Sequence, residues 1–212
     1  MVLLLFLLFL AAPLTAQEPA GVNPGTVLPA SGQRSPSRLA SLITNPGYGG
    51  PTLKFTRFNN QMAIMTGGRG SCILNRRITV GGGGYGIANP IWIDKADTGT
   101  NRYLKIGYGG PELGYFLVPG KTITVGASLL MAAGAVFLQS KPKVEGDGLF
   151  DDGFRIFPVL EPAMYGEVAL GRFIRLHAGV TYRYVTGAGT SYFGDRQLRD
   201  FSAYAGVLFG QF

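Results

Sequence analysis

From Gly47 to the end of the chain, apolar side chains recur at every second position rather than at helical spacing. The clearest stretch is 174–185, where Ile174, Leu176, Ala178, Val180, Tyr182 and Tyr184 alternate with Arg175, His177, Gly179, Thr181 and Arg183. Successive side chains of a strand point to opposite faces, so this segment is apolar on one side and polar on the other. The preceding segment, 159–169, alternates in the same way, with Glu161, Ala163, Tyr165 and Glu167 set against Leu160, Pro162, Met164, Gly166 and Val168. Six further segments follow the period-two rule: 48–58, 62–74, 78–88, 102–117, 122–137 and 200–212. The pattern therefore predicts eight strands.

The links between them differ in length. Asn59-Asn60-Gln61, Asn75-Arg76-Arg77, Val118-Pro119-Gly120-Lys121 and Gly171-Arg172-Phe173 are short, whereas 89–101, 138–154 and 186–199 are long. An even strand count with short turns at one end and longer loops at the other is the pattern of an outer-membrane barrel. It places both ends of the barrel segment on the short-turn, periplasmic side. Two prolines in 159–169 and just before it, Pro158 and Pro162, call for a bulge or for a strand that starts after Pro158.

A soluble sandwich alternates too, and composition decides between them. Only 15% of the 212 residues are charged, against about 25% in ordinary domains. Glycine supplies 33 residues, about twice its usual share of ~7%, and recurs inside strands, as in Gly81–Gly84. Inside a narrow barrel, glycine gives room to large neighbours and permits sharp coiling. Residues 122–140 carry no charge and have the length of a membrane helix. Thr122, Ile123, Thr124 and Val125 are β-branched, however, and a lone helix would leave the other strands with open edges that lipid does not tolerate. In the barrel, Ile123, Val125, Ala127, Leu129 and Met131 face lipid.

The apolar run 2–12, followed by Ala16, has the length of a secretory signal core. Residues 1–16 are therefore expected to be a signal peptide. Five prolines in 17–46 mark a flexible periplasmic tail, which leaves 47–212 as the barrel domain. Phe212, with Leu208 and Tyr204 at alternating positions before it, resembles the C-terminal signal of bacterial outer-membrane proteins. The glycine strings Gly67-Gly68-Arg69-Gly70, Gly81–Gly84 with Tyr85-Gly86, and Gly107-Tyr108-Gly109-Gly110-Pro111-Glu112-Leu113 resemble those of small, largely uncharacterised eight-stranded outer-membrane β-barrel proteins. The whole body 47–212 is similar to an OmpA/OmpX-type barrel. That resemblance implies an all-β, antiparallel, up-and-down transmembrane barrel and brings no catalytic residues with it.

If lipid surrounds the barrel, its polar face is the lumen. Arg69, Glu161, Glu167, Arg175, His177 and Arg183 are then expected to form an internal charge network, joined by Glu112 and Lys105. An eight-stranded barrel is just wide enough to be filled by side chains, and buried charges need partners. A narrow pore is the alternative, and an outer-membrane lipid-modifying enzyme ranks after it. His177 is the only histidine and has no nucleophile pattern beside it. No cofactor and no metal site are expected, since there is one cysteine, Cys72, and no His/Cys cluster. The net charge of +7 is spread over turns and lumen, which speaks against nucleic acid. The expected partners are outer-membrane lipid and a surface ligand at loops 89–101, 138–154 and 186–199, with the chain a monomer in the outer membrane.

Overall fold

Side chains of strand β8 (Ile174–Val185) alternate between exposed and buried along its length. Ile174, Leu176, Val180 and Tyr184 face out, while His177, Thr181, Arg183 and Val185 face in. In the computed structural model, which describes residues 43–58, 60–93, 101–141, 155–189 and 194–212, the long strands repeat this division, except that β3 loses it over its glycine run Gly81–Gly84. They are β1 (Ile43–Phe58), β2 (Gln61–Leu74), β3 (Ile78–Ile87), β5 (Asn101–Val118), β6 (Ile123–Lys141), β7 (Arg155–Ala169), β8 and β9 (Asp200–Gly210), with a short β4 (Ile91–Ile93) between β3 and β5. Each strand pairs antiparallel with its neighbours, and β9 returns to β1. Both β3 and β4 pair with β5, so together they make one staggered wall strand and the sheet closes into an eight-stranded barrel.

The stagger fixes its dimensions. Following paired residues from Gly210 through Tyr48, Ser71, Gly81, Glu112, Leu130 and Glu161 leads to Arg183 and its partner Asp200. Glu161 and Arg183 face each other between the Leu160–Tyr184 and Ala163–Thr181 pairs. The circuit thus returns to β9 ten residues from where it began, at 200 instead of 210. With ~3.3 Å per residue and ~4.8 Å between strands, that shear tilts the strands by about 40°. At that tilt, the rise from Ile174 to Tyr184 is about 25 Å, the height of the apolar band of a membrane barrel. No helix among the described residues is long and apolar enough to cross a membrane.

Large rings inside the barrel lie over glycines of the adjacent strand. A Cβ on Gly126 would come 2.6 Å from the Tyr165 ring, and one on Gly134 would come 2.5 Å from Phe157. Each glycine is the direct cross-strand partner of its ring. Gly67 stands in the same relation to Tyr85. Interior glycine is therefore the space that the aromatic residues occupy.

Strand boundaries differ from the sequence reading at four places. First, β1 begins at Ile43, inside the stretch read as a tail. Second, β4 occupies part of the loop placed at 89–101. Between them, the Asn89 side chain accepts from the Ile64 N–H at 2.6 Å and donates to the Met62 carbonyl at 3.1 Å, extending the β2 ladder across the break before Pro90. Third, β6 runs on to Lys141 and β7 starts at Arg155.

Fourth, Pro158 and Pro162 neither bulge nor delay the strand. The β6–β7 register is unbroken from Ile123–Val168 to Val136–Arg155, and both prolines face outward. A proline lacks the donor for one neighbour only, and the β7–β8 ladder skips Glu161 and Pro162. Pro51 and Pro111 sit at similar skips, against β9 and β6.

Candidate functional site

The lumen is filled in layers set by the strand register. At the loop end, Phe58, Met65, Ile91, Leu104, Val136, Phe157, Val185, Ala188 and Leu198 form an apolar plug. Leu198 belongs to a 3-10 turn, Asp195–Leu198, whose Asp195 carboxylate accepts from the Gly187 and Gly189 N–H groups. Arg183 runs through this plug, fully buried, with its guanidinium 4.0 Å from the Phe58 ring centre. It donates to the carbonyls of Leu198 at 2.8 Å and Arg57 at 3.3 Å, and to Thr56 Oγ1 at 3.2 Å.

The middle layer holds most of the buried charge. Lys54 pairs with Glu161 and donates to Tyr108 Oη at 3.1 Å, and that hydroxyl donates to Glu161 at 2.6 Å. Its ammonium also rests 3.6 Å from the centre of the Tyr85 ring. Beside this group, Arg69 Nη2 meets Glu112 Oε1 at 2.9 Å, with the guanidinium against Tyr165. About 10 Å³ is left for water between Arg69, Glu112, Glu161, Thr181 and Tyr204. That is room for one water molecule at most.

At the turn end, Arg175 Nη1 reaches Glu167 Oε2 at 3.2 Å and Thr124 Oγ1 at 2.9 Å. Its guanidinium lies 4.4 Å from the Phe212 ring, which also packs against Tyr48. His177 Nε2 is 3.2 Å from Thr52 Oγ1, and its ring packs against Tyr204. Ser202 lies opposite Thr181, not opposite His177, so the register assembles no serine–histidine pair on β8 and β9.

The six residues expected in the lumen, Arg69, Glu161, Glu167, Arg175, His177 and Arg183, all lie on inward positions. They do not make one continuous network. Glu161 pairs with Lys54, Arg69 with Glu112 and Glu167 with Arg175, while Arg183, facing Glu161 across the β7–β8 ladder, bonds to two carbonyls and to Thr56. Glu112 faces inward as well. Lys105 does not: it lies at an outward position between buried Leu104 and Ile106, because the parity of β5 puts even-numbered residues inside. Lys54 and Tyr108 were missed by the sequence reading. The signal for Lys54 was present, since Thr52, Lys54, Thr56 and Phe58 alternate against Leu53, Phe55 and Arg57. Cys72 takes an outward position between buried Ser71 and Ile73. Among the described residues, no group of three or more His, Cys, Asp or Glu side chains is arranged to hold a metal ion. Large parts of the three long loops, at 94–100, 142–154 and 190–193, and the segment 1–42 lie outside the described residues.

A closed sheet with a lipid-facing apolar band of this height and a shear of ten over eight strands defines a small transmembrane β-barrel. One solved structure with this fold superposes well. Neisserial surface protein A (NspA) superposes with a TM-score of 0.52 at 11% identity, covering 78% of this chain and 96% of that one. The N-terminal barrel domain of Pseudomonas aeruginosa OprF gives 0.47 at 11% identity, covering 78% of this chain and 97% of that one. Ail, the attachment invasion locus protein of Yersinia pestis, gives 0.46 at 8% identity, covering 78% and 96%. At these identities the likeness is one of fold. The chain has the fold of the small eight-stranded outer-membrane β-barrels. No family model matches the sequence, and no curated protein matches it.

Proposed function

We propose that this chain is an integral outer-membrane barrel with a structural or surface-interaction role, exported through its N-terminal segment 1–16, and that it carries out no catalysis. The observation that supports this reading is the packed lumen. Its charges are paired or bonded to carbonyls, its loop end is plugged by Leu198 and its neighbours, and the space left at the centre is about 10 Å³. On this reading the polar interior is scaffold, and any recognition falls to the loops 89–101, 138–154 and 186–199, with the chain a monomer in lipid and no nucleic acid among its partners.

The test is planar-bilayer recording of the purified, folded chain. The expected trace is silent at both polarities. Reproducible conductance steps that survive repurification would overturn the reading in favour of a narrow pore.

A further inference from the structure

The three turns at the short-turn end carry four cations and no acid. Asn75-Arg76-Arg77 links β2 to β3, Lys121 lies between β5 and β6, and Arg172 between β7 and β8. All four basic side chains are exposed. None of them forms an ion pair among the described residues. The lumen, by contrast, is close to balance, with Lys54, Arg69, Arg175 and Arg183 set against Glu112, Glu161 and Glu167. The turns therefore account for more than half of the chain's formal net charge of +7.

The register puts these turns on one level. With the rise and tilt given above, the strand ends beside them, Leu74, Val118, Ile123, Ala169 and Ile174, lie within about 3 Å of one another along the axis. Exposed Ile78, Ile123 and Ile174 adjoin the turns and form the lower edge of the apolar band. Arg77 shows where the charge lies relative to that edge. Its Nη1 donates to Tyr115 Oη at 3.1 Å, and Tyr115 is an exposed, outward residue of β5 paired with Ile78. That guanidinium therefore lies along the outer wall and not beneath the mouth of the lumen. A tyrosine hydroxyl in this position marks the membrane–water boundary.

Spacing decides what such a rim can hold. Eight strands at ~4.8 Å and a tilt of about 40° give a backbone radius of about 8 Å. The three turns stand two wall strands apart, so neighbouring turns are separated by about 12 Å. One phosphate cannot bridge that distance, whereas separate headgroups of a surrounding lipid shell meet each turn singly. Guanidinium and ammonium groups are good donors to phosphate oxygens. We propose that Arg76, Arg77, Lys121 and Arg172 form a cationic rim that selects anionic phospholipid headgroups in the leaflet on the turn side. This rests on the barrel spanning a bilayer and is independent of whether its lumen conducts.

Electron paramagnetic resonance of spin-labelled lipids tests it on the full chain folded into phosphatidylcholine vesicles. The probes are phosphatidylglycerol and phosphatidylcholine, each labelled near the end of one acyl chain. The motionally restricted fraction of each spectrum measures how strongly that lipid favours the barrel surface. A base at the headgroup level favours an anionic lipid roughly fivefold. Averaged over both leaflets, the wild type should prefer phosphatidylglycerol by about threefold. Arg76→Gln with Arg77→Gln, Lys121→Gln and Arg172→Gln should abolish the preference. A loop-end control, Arg57→Gln with Arg196→Gln, should stay within about 1.3-fold of wild type. If the fourfold variant fails to fold, judged by loss of its heat-dependent gel shift, Lys121→Gln with Arg172→Gln serves and should roughly halve the preference. Equal restriction of both lipids by the wild type, an unchanged preference in the rim variant, or an equal loss in the control would overturn the rim. A preference abolished by millimolar inorganic phosphate, but kept in chloride of the same ionic strength, would overturn the assignment to lipid. Absence of restricted lipid of either kind would instead overturn the bilayer-spanning reading beneath it.

Discussion

Replacing Arg69 and Glu112, singly and together, probes the buried charge most sharply. Their atoms meet at 2.9 Å, with side chains 2% and 8% exposed. At an effective dielectric constant of ~20, two unit charges at that distance attract by about 6 kcal/mol before desolvation is counted. Each partner has been taken out of water for the other, so removing one leaves a charge without compensation. Arg69→Met should therefore destabilise the barrel by about 3–5 kcal/mol, and Glu112→Leu by a similar amount. Arg69 also packs on Tyr165 and donates to Tyr204 Oη at 3.4 Å, and methionine keeps much of that packing volume. With both charges gone, the double variant should lie within about 2 kcal/mol of wild type. The coupling energy is then about 3 kcal/mol or more, of a sign that rescues stability. Urea unfolding from lipid vesicles gives the numbers, read by the fluorescence of Trp92, the chain's single tryptophan, with gel mobility as a second probe. If the singles simply add, with coupling under about 0.5 kcal/mol, the two groups are solvated separately and the packed-lumen account fails.

Two further outcomes follow from local geometry. Gly126→Ala puts a methyl group into the Tyr165 ring and should cost about 1–3 kcal/mol in the same urea assay; in a Tyr165→Ala background the same change should cost under about 0.5 kcal/mol. An equal cost in both backgrounds would mean that the ring is not what the glycine accommodates. The β2–β3 turn holds Asn75 and Arg76 at φ of 48° and 58°, a left-handed pair that suits Asn-Gly. Arg76→Gly should accordingly stabilise by about 0.5–1 kcal/mol, and a lower urea midpoint would contradict the turn geometry.

How much of this was legible in the sequence depends on the range of the interaction involved. The alternation of β8 is local, and 174–185 carried both its span and its two faces in the residue order. Alternation likewise put Glu161, Glu167 and His177 on the polar side. Lys54 was equally readable from the alternation of 52–58. The partners were not readable. Arg69 meets Glu112 only because the β2–β3 and β3–β5 registers set them close together on either side of Gly83, and Lys54 meets Glu161 only because a shear of ten sets which residues of distant strands share a level, a number that appears only once all eight ladders close. Asn89 is a different case. Its amide replaces backbone in the ladder of β2, so Ala88-Asn89-Pro90 reads as a strand end while the wall strand continues as β4. The prolines misled for a related reason: in a closed barrel each lost donor affects one side only, and the other ladder carries the strand through Pro158 and Pro162.

The central claim is that the apolar face of these strands meets lipid while the polar face fills a closed interior. Nitroxide labels on β8 test it directly. With Cys72 replaced by serine, single cysteines at Leu176, Ala178, Val180 and Thr181 are labelled, and the folded chain is studied in vesicles by electron paramagnetic resonance. Labels at 176, 178 and 180 should be open to dissolved oxygen and shielded from a water-soluble nickel chelate, and the label at 181 should be shielded from both and strongly immobilised. Equal access of the chelate to 176, 178 and 180, or a freely moving label at 181, would contradict the account.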